Sequence, residues 1–145
     1  MLSKDFKEFV ALLNAHGVEY LVVGGYAMAL HGHPRNTGDL DVWVNRSPEN
    51  AGRLMQALND FGFGGLGLSA DDFVAPEQLV QLGYPPFRID LLTDIDGVQF
   101  AAAWPRRKTF VHEGQPLHFI GLEDLKANKR ASARPRDLDD LEQLP

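Results

Sequence analysis

The chain has 145 residues, a formal net charge of −6 and no cysteine. Its length suits one ordinary domain, and the missing cysteines exclude a zinc–thiolate site, a thiol nucleophile and a disulfide framework, as expected for a reducing cytoplasm. The acidic balance argues against a general nucleic-acid coat, and no apolar run approaches the length of a membrane span. We therefore expect a single cytoplasmic domain over residues 1–145 with no membrane partner.

The first elements are predicted to be a helix, a strand and a second, shorter helix. Ser3 suits the N-cap of an amphipathic helix, and the apolar residues 20–23 have the composition of a strand. Gly24-Gly25 then breaks this run before a helix-permissive segment. A strand-to-helix turn of this kind presents backbone N–H groups without side chains in the way, which suits it to binding a phosphate.

The next strand, residues 39–44 (DLDVWV), is predicted to carry two acidic side chains on one face. Alternation places Asp39 and Asp41 opposite the apolar face of this strand. Two neighbouring carboxylates repel each other unless a cation lies between them. Mg²⁺ commonly takes one or two carboxylates together with water and substrate phosphates, so the pair beside a phosphate-binding turn predicts a metal–nucleotide site.

The middle of the chain is predicted to form a helix and then two strands. Ser47, Pro48 and Gly62 mark the ends of the helix. The glycine-rich residues 62–68 favour a mobile loop or strand edge, with a substrate-gating flap as the alternative. Strands over residues 78–82 and 87–92 would follow.

Asp90 lies on the second of these strands, facing away from its apolar neighbours. An aspartate in an apolar run requires a partner, which a metal ion would supply. The alternative interpretation is an acid at the strand end that pairs with Arg88.

The remaining residues are predicted to form a short helix, a hairpin and two further helices. The helix covers residues 100–104, and the hairpin strands cover residues 108–112 and 116–120. The basic run 106–108 is interpreted as a solvated strand edge rather than a substrate contact. Helices are expected over residues 122–129 and again from residue 134.

The motifs together resemble the nucleotidyltransferase superfamily related to DNA polymerase β, and most nearly its small bacterial toxin-type and antibiotic-modifying members. The resemblance rests on Gly24-Gly25 and the segment 35–41 (RNTGDLD), with Asp90 as the third carboxylate that this superfamily uses. It covers residues 18–45 and 87–93, and more weakly 122–141. It implies an α/β (α+β) fold with a mixed β-sheet and flanking helices.

The resemblance also implies roles for individual residues. Asp39, Asp41 and Asp90 would be the catalytic, metal-binding residues for Mg²⁺ or Mn²⁺. Nucleotide binding would fall to Gly24, Gly25, Arg35, Thr37 and Lys129, with Arg134 and Asp137 supporting the pocket. Gly25 departs from the superfamily because a serine is frequent at that place, so backbone donors would have to serve alone.

Several of these residues have alternative interpretations. Arg35 also suits a surface ion pair, Thr37 also suits a turn, and Lys129 also suits a solvated helix surface. His31 and His33 form a His-x-His pair, but without further ligands nearby they are interpreted as loop residues rather than a metal site.

The function expected from this resemblance is transfer of a nucleoside monophosphate from an NTP to a hydroxyl acceptor. RNA ends, proteins and small molecules are all compatible acceptors. The first alternative is a nucleotidyltransferase-like component of a toxin–antitoxin pair that acts mainly through a partner protein. The second is a nonenzymatic acidic α/β domain, in which the aspartates only neutralise surface arginines.

Overall fold

The computed structural model describes residues 2–32, 38–84 and 86–145. The helices in this part of the chain are α1 (Lys4–Ala15), α2 (Gly24–Leu30), α3 (Pro48–Phe61), α4 (Phe100–Ala103), α5 (Leu122–Ser132) and α6 (Pro135–Gln143). The strands are β1 (Tyr20–Val23), β2 (Asp39–Val44), β3 (Leu79–Leu82), β4 (Arg88–Leu92), β5 (Lys108–His112) and β6 (Gln115–Phe119). Two short 3₁₀ turns cover Ala70–Phe73 and Trp104–Arg106.

The strands form one six-stranded sheet in the order β3-β4-β2-β1-β6-β5. β2 pairs with β4, and β1 with β6, in parallel; the other neighbouring strands are antiparallel. The predicted mixed sheet with flanking helices is therefore confirmed. Both strands that carry the predicted acidic residues, β2 and β4, lie inside the sheet rather than at its edge.

Three helix ends form where the sequence predicts them, whereas α5 continues to Ser132, beyond the predicted residue 129. The Ser3 hydroxyl accepts a hydrogen bond from the backbone N–H of Phe6 at 3.2 Å, and Ser47 does the same for Asn50 at 3.2 Å. Gly62 ends α3 in the left-handed conformation that glycine adopts without strain. The glycine-rich segment that follows is a loop, not a strand.

Buried apolar side chains from α1, α3 and the central strands form a hydrophobic core. Every residue of β1 is buried, and so are Leu40, Val42 and Val44 on one face of β2. On the other face, Trp43 packs against Phe100, with ring centroids 5.0 Å apart. The acidic residues of β2 lie on this second face, nearer the start of the strand.

The basic run at residues 106–108 is held by contacts within the protein. The Arg106 guanidinium pairs with Asp124 at 2.8 Å, and the Arg107 guanidinium lies 3.9 Å from the ring centroid of Trp104. Lys108 begins β5, the outermost strand of the sheet, as the interpretation of this run as a strand edge expects. Among the described residues, no helix is long and apolar enough to cross a membrane.

A buried amide that the sequence analysis did not identify joins α3 to the sheet. Asn50 is 1% exposed. Its side-chain oxygen accepts from the Glu19 N–H at 2.7 Å, and its NH₂ group donates to the carbonyls of Glu19 at 3.0 Å and Asn45 at 2.7 Å. These bonds connect the start of β1, the end of β2 and the first turn of α3.

Replacing this amide should destabilise the fold. We expect Asn50→Ala to lower the free energy of unfolding by about 2–3 kcal/mol, because buried backbone groups lose their partners. The matched control is Gln56→Ala, an exposed amide on the same helix, which should change stability by less than about 0.5 kcal/mol. Urea denaturation of the two variants compares them, and equal effects would contradict the anchoring role.

Candidate active site

The parallel pairing of β2 with β4 brings the predicted carboxylates together. In this register Asp41 lies opposite Asp90, and Asp39 lies opposite Arg88. Because side chains two residues apart on a strand share a face, all four project from the same side of the sheet. The intervening Leu40 and Ile89 are buried, which fixes the carboxylate face away from the core.

Arg88 lies between two of the three carboxylates. Its Nε donates to Asp90 Oδ1 at 2.8 Å, and its Nη2 donates to Asp90 Oδ2 at 3.2 Å and to Asp39 Oδ2 at 2.9 Å. This two-point contact with Asp90 is the geometry that a guanidinium makes best with a carboxylate. Asp90 therefore pairs with Arg88, as the alternative interpretation expects, and it also lies beside the aspartates of β2. Its role as a metal ligand stays a prediction.

The carboxyl of Asp41 has a strongly perturbed pKa. Burial raises its pKa to about 7, and the negative charges of Asp90 and Asp39, with a hydrogen bond to Asp90, add to the rise. Arg88 partly opposes this effect. At neutral pH, Asp41 consequently carries a proton part of the time.

The Gly24-Gly25 turn contacts this carboxyl directly. Gly24 has a φ of +69°, and a Cβ added to it would lie 3.0 Å from Asp41 Cγ and overlap Asp41 Oδ2. Gly24 is therefore required twice, by its backbone conformation and by the close approach of Asp41. Gly25 is the second residue of α2.

A cleft of about 400 Å³ opens beside these residues. Four of the predicted catalytic and nucleotide-binding residues line it, and so does Arg134, which was predicted to support the pocket. The four are Gly24, Asp41, Asp90 and Lys129. The start of α2, the strands β2 and β4, and α5 thus bring four separate parts of the chain to one cavity.

Lys129 reaches the cleft from α5 but is held by carboxylates of α6. Its Nζ lies 2.9 Å from Asp140 Oδ2 and 3.5 Å from Asp137 Oδ1, and the residue is only 8% exposed. Arg134 pairs with Asp137 at 2.7 Å and keeps the pKa of that carboxyl well below its usual range. The ammonium group is a fixed, partnered charge at the wall of the cleft.

The family model described as "Nucleotidyltransferase of unknown function (DUF6036)" matches residues 2–144. The chain belongs to this nucleotidyltransferase family. The resemblance expected from the Gly-Gly turn and the three aspartates is thereby confirmed at the level of the superfamily. Among curated proteins, no sequence matches the chain.

Solved structures of nucleotidyltransferases share the fold of this family member. TM1012 of Thermotoga maritima, a protein assigned to the nucleotidyltransferases, is 16% identical, with a TM-score of 0.60 over 94% of this chain and 86% of its own. ANT(2″)-Ia, solved with adenylyl-2″-tobramycin, is 13% identical, with a TM-score of 0.55 over 95% and 84%. A nucleotidyltransferase-like antigenic protein of Paracoccidioides brasiliensis is 20% identical, with a TM-score of 0.56 over 96% and 73%. These identities show a common fold and no more.

The remaining predicted residues are not all placed. Arg35, Thr37 and His33 lie outside the described residues, so their roles stay predictions. His31 lies 2.8 Å, through Nε2, from the carbonyl oxygen of Ile120, a contact that ties α2 to the end of β6.

Part of the cleft wall was not predicted from the sequence. Asp94, Asp96 and Asn128 line the cleft. The Asn128 side chain donates to the Asp96 carbonyl at 2.9 Å, which fixes the turn at Asp96 against α5. The position of Arg88 on the carboxylate face could have been predicted, since it precedes Asp90 by two residues on a strand.

The donor chemistry of the site fits a hard divalent cation, although the side chains are not yet arranged as a three-ligand set. Asp41 and Asp90 are adjacent oxygen donors whose mutual repulsion a cation would relieve, and Mg²⁺ sites often use only one or two carboxylates. Within residues 2–32, 38–84 and 86–145, however, no three acidic, histidine or cysteine side chains are grouped so that they could hold a metal. Asp39 and Asp90 instead bind Arg88.

The contact between Gly24 and Asp41 predicts a specific sensitivity to a methyl group. Gly17→Ala should cost about 1–2 kcal/mol of unfolding free energy, because Gly17 has a similar φ of +67° but nothing near its added Cβ. Gly24→Ala should cost about 1–3 kcal/mol more, because its Cβ overlaps Asp41. Chemical denaturation of both variants tests this difference. Equal costs would show that only the backbone conformation matters.

The raised pKa of Asp41 predicts a stability that falls as pH rises. Its carboxyl titrates near 3.8 when unfolded and near 7 when folded, so the folded protein binds a proton that the unfolded chain releases in this range. Asp41→Asn cannot ionise, and we expect it to match the wild type at pH 4 and to exceed its stability by roughly 2–4 kcal/mol at pH 8.

Urea denaturation in the presence of a chelator, at pH 4, 6 and 8, measures this effect. Asp139→Asn, at an exposed aspartate of α6, serves as the control and should follow the wild type at each pH. An Asp41→Asn advantage that does not change with pH would contradict the assignment.

Proposed function

We propose that the protein is a divalent-metal-dependent nucleotidyltransferase that transfers a nucleoside monophosphate from an NTP to a hydroxyl acceptor. One observation carries this proposal. The parallel register of β2 and β4 places Asp41 beside Asp90, with Asp39 on the same face, next to the Gly24 turn. A purely structural domain has no need for three carboxylates on one face, because their repulsion costs stability.

The proposed reaction assigns separate tasks to these residues. Asp39, Asp41 and Asp90 would hold Mg²⁺ or Mn²⁺, which when bound neutralises phosphate charge and lowers the pKa of the acceptor hydroxyl. The acceptor oxygen would attack the α-phosphorus in line while the bond to pyrophosphate breaks. The hydroxyl proton would pass to Asp90 or to water. Most of the rate enhancement would come from positioning and charge neutralisation.

Nucleotide binding is proposed for the residues around the carboxylates. Gly24 and Gly25 would bring backbone N–H groups close to the phosphates, since no side chain intervenes. Lys129 lines the same cleft and would add a positive charge at its wall. Arg35 and Thr37 keep the phosphate roles that the superfamily implies.

The test is nucleotide transfer in vitro. The purified protein is incubated with each of the four α-labelled NTPs, Mg²⁺ or Mn²⁺, and a cell extract that is then separated into RNA, protein and small molecules. The labelled fraction names the acceptor class. We expect Asp41→Asn and Asp90→Asn each to reduce transfer by roughly 10²–10³-fold, because the metal would lose a charged ligand.

Asp139→Asn is the matched control, because this aspartate shares the Asp-x-Asp spacing but is exposed on α6. It should keep full activity. Undiminished transfer by both β-strand variants, or no labelled product in any fraction, would overturn the proposed function.

A further inference from the structure

Arg88 has a place in the site that the proposed reaction does not use. It is the partner of Asp39 in the strand register and precedes Asp90 by two residues, so its side chain emerges on the carboxylate face. The guanidinium occupies both oxygens of Asp90 and one oxygen of Asp39.

The oxygens that Arg88 occupies are those that a cation would need. An oxygen that accepts a short, charge-assisted hydrogen bond from a guanidinium offers less electron density to a metal. A divalent ion held by Asp90 would also lie within a few ångströms of a like charge, which is unfavourable at this distance. Full ligation by Asp39 and Asp90 therefore requires Arg88 to release them.

We propose that Arg88 is the internal counter-ion of the site and competes with the divalent cation for Asp39 and Asp90. In the metal-free protein it holds the two strands' carboxylates in place of the metal. Metal binding is linked to its displacement, so Arg88 lowers the affinity for a free divalent ion. This inference rests on the metal site of the proposed function.

A direct measurement of metal binding tests the competition without any catalytic assay. Binding of Mn²⁺ alone is followed by the electron paramagnetic resonance signal of the free ion, with the wild-type chain and with Arg88→Met. We expect Arg88→Met to bind Mn²⁺ at least tenfold more tightly, because the competing charge is gone and its hydrogen bonds no longer occupy oxygens of Asp39 and Asp90. Unchanged or weaker binding would overturn the proposal, since it would mean that Arg88 assists or does not affect the metal.

A second variant covers the case in which Arg88→Met does not fold. Arg88→Lys keeps the charge but not the fork of donors that bridges Asp39 and Asp90. It should bind Mn²⁺ with an affinity between those of the wild type and Arg88→Met. An affinity no greater than that of the wild type would contradict the proposal.

Arg106→Met is the matched control. Arg106 makes the same two-point contact, with Nε and Nη2 at 3.0 and 2.8 Å from the carboxylate of Asp124, on a different part of the surface. Its removal changes the net charge equally and should leave Mn²⁺ affinity unchanged. If Arg106→Met also bound Mn²⁺ tenfold more tightly, the effect would come from the overall charge of the protein, and the proposal would be overturned.

The readout separates this inference from the proposed function. Suppose that the wild type transfers no nucleotide but binds Mn²⁺, and that Arg88→Met binds Mn²⁺ more tightly. The competition by Arg88 would then be supported and the proposed function overturned. If neither the wild type nor the Arg88 variants bind Mn²⁺, both proposals are overturned.

Discussion

The candidate site depends on one constraint, the register of the parallel pair β2 and β4. Asp41 lies opposite Asp90 only in this alignment, and a slip of one residue would turn one set of side chains to the other face. The apolar residues between the acidic ones prevent such a slip, because Leu40, Val42 and Ile89 would then leave the core. The hydrophobic effect thus maintains a grouping of charges that electrostatics alone would disperse.

Negative charges outnumber positive ones at this site, and the positions of the groups decide which carboxylates are neutralised. Two of the three carboxylates, Asp39 and Asp90, share one guanidinium. The third, Asp41, has its pKa raised to about 7, first by burial and then by the charges of its two acidic neighbours. A second group of charges surrounds the cleft at α5 and α6, where Lys129 is bound by two buried carboxylates. The cleft is therefore lined both by acidic side chains, Asp41 and Asp90, and by the ammonium group of Lys129.

Much of the fold could be predicted from local sequence signals. The strand bounds of β1 and β2, the caps at Ser3 and Ser47, and the helix end at Gly62 follow from side-chain alternation and capping chemistry. The same alternation correctly placed Asp39 and Asp41 on one face. Local patterns suffice here because each helix cap is a bond within one turn, and alternation alone fixes which side chains share a face of a strand.

Features that depend on distant contacts could not be predicted in this way. The contact of Arg88 with Asp39 is one of them, because nothing local reveals that these two residues lie opposite each other. The pairing of Arg88 with Asp90, two residues away, is local and was considered as an alternative to a metal role. The packing of α6 on α5, which gives Lys129 two acidic partners, is equally nonlocal. Asn50 appears in the sequence as an ordinary helix residue, and only its three tertiary hydrogen bonds show its structural role.

The interior position of β2 and β4 has a further consequence. The sheet's margins, β3 and β5, can fray, lengthen or gain insertions in their connecting turns while the two middle strands keep their pairing. A chain built in this way can diversify what it presents at its rim, and hence what it recognises, while the arrangement of its acidic residues is inherited unaltered.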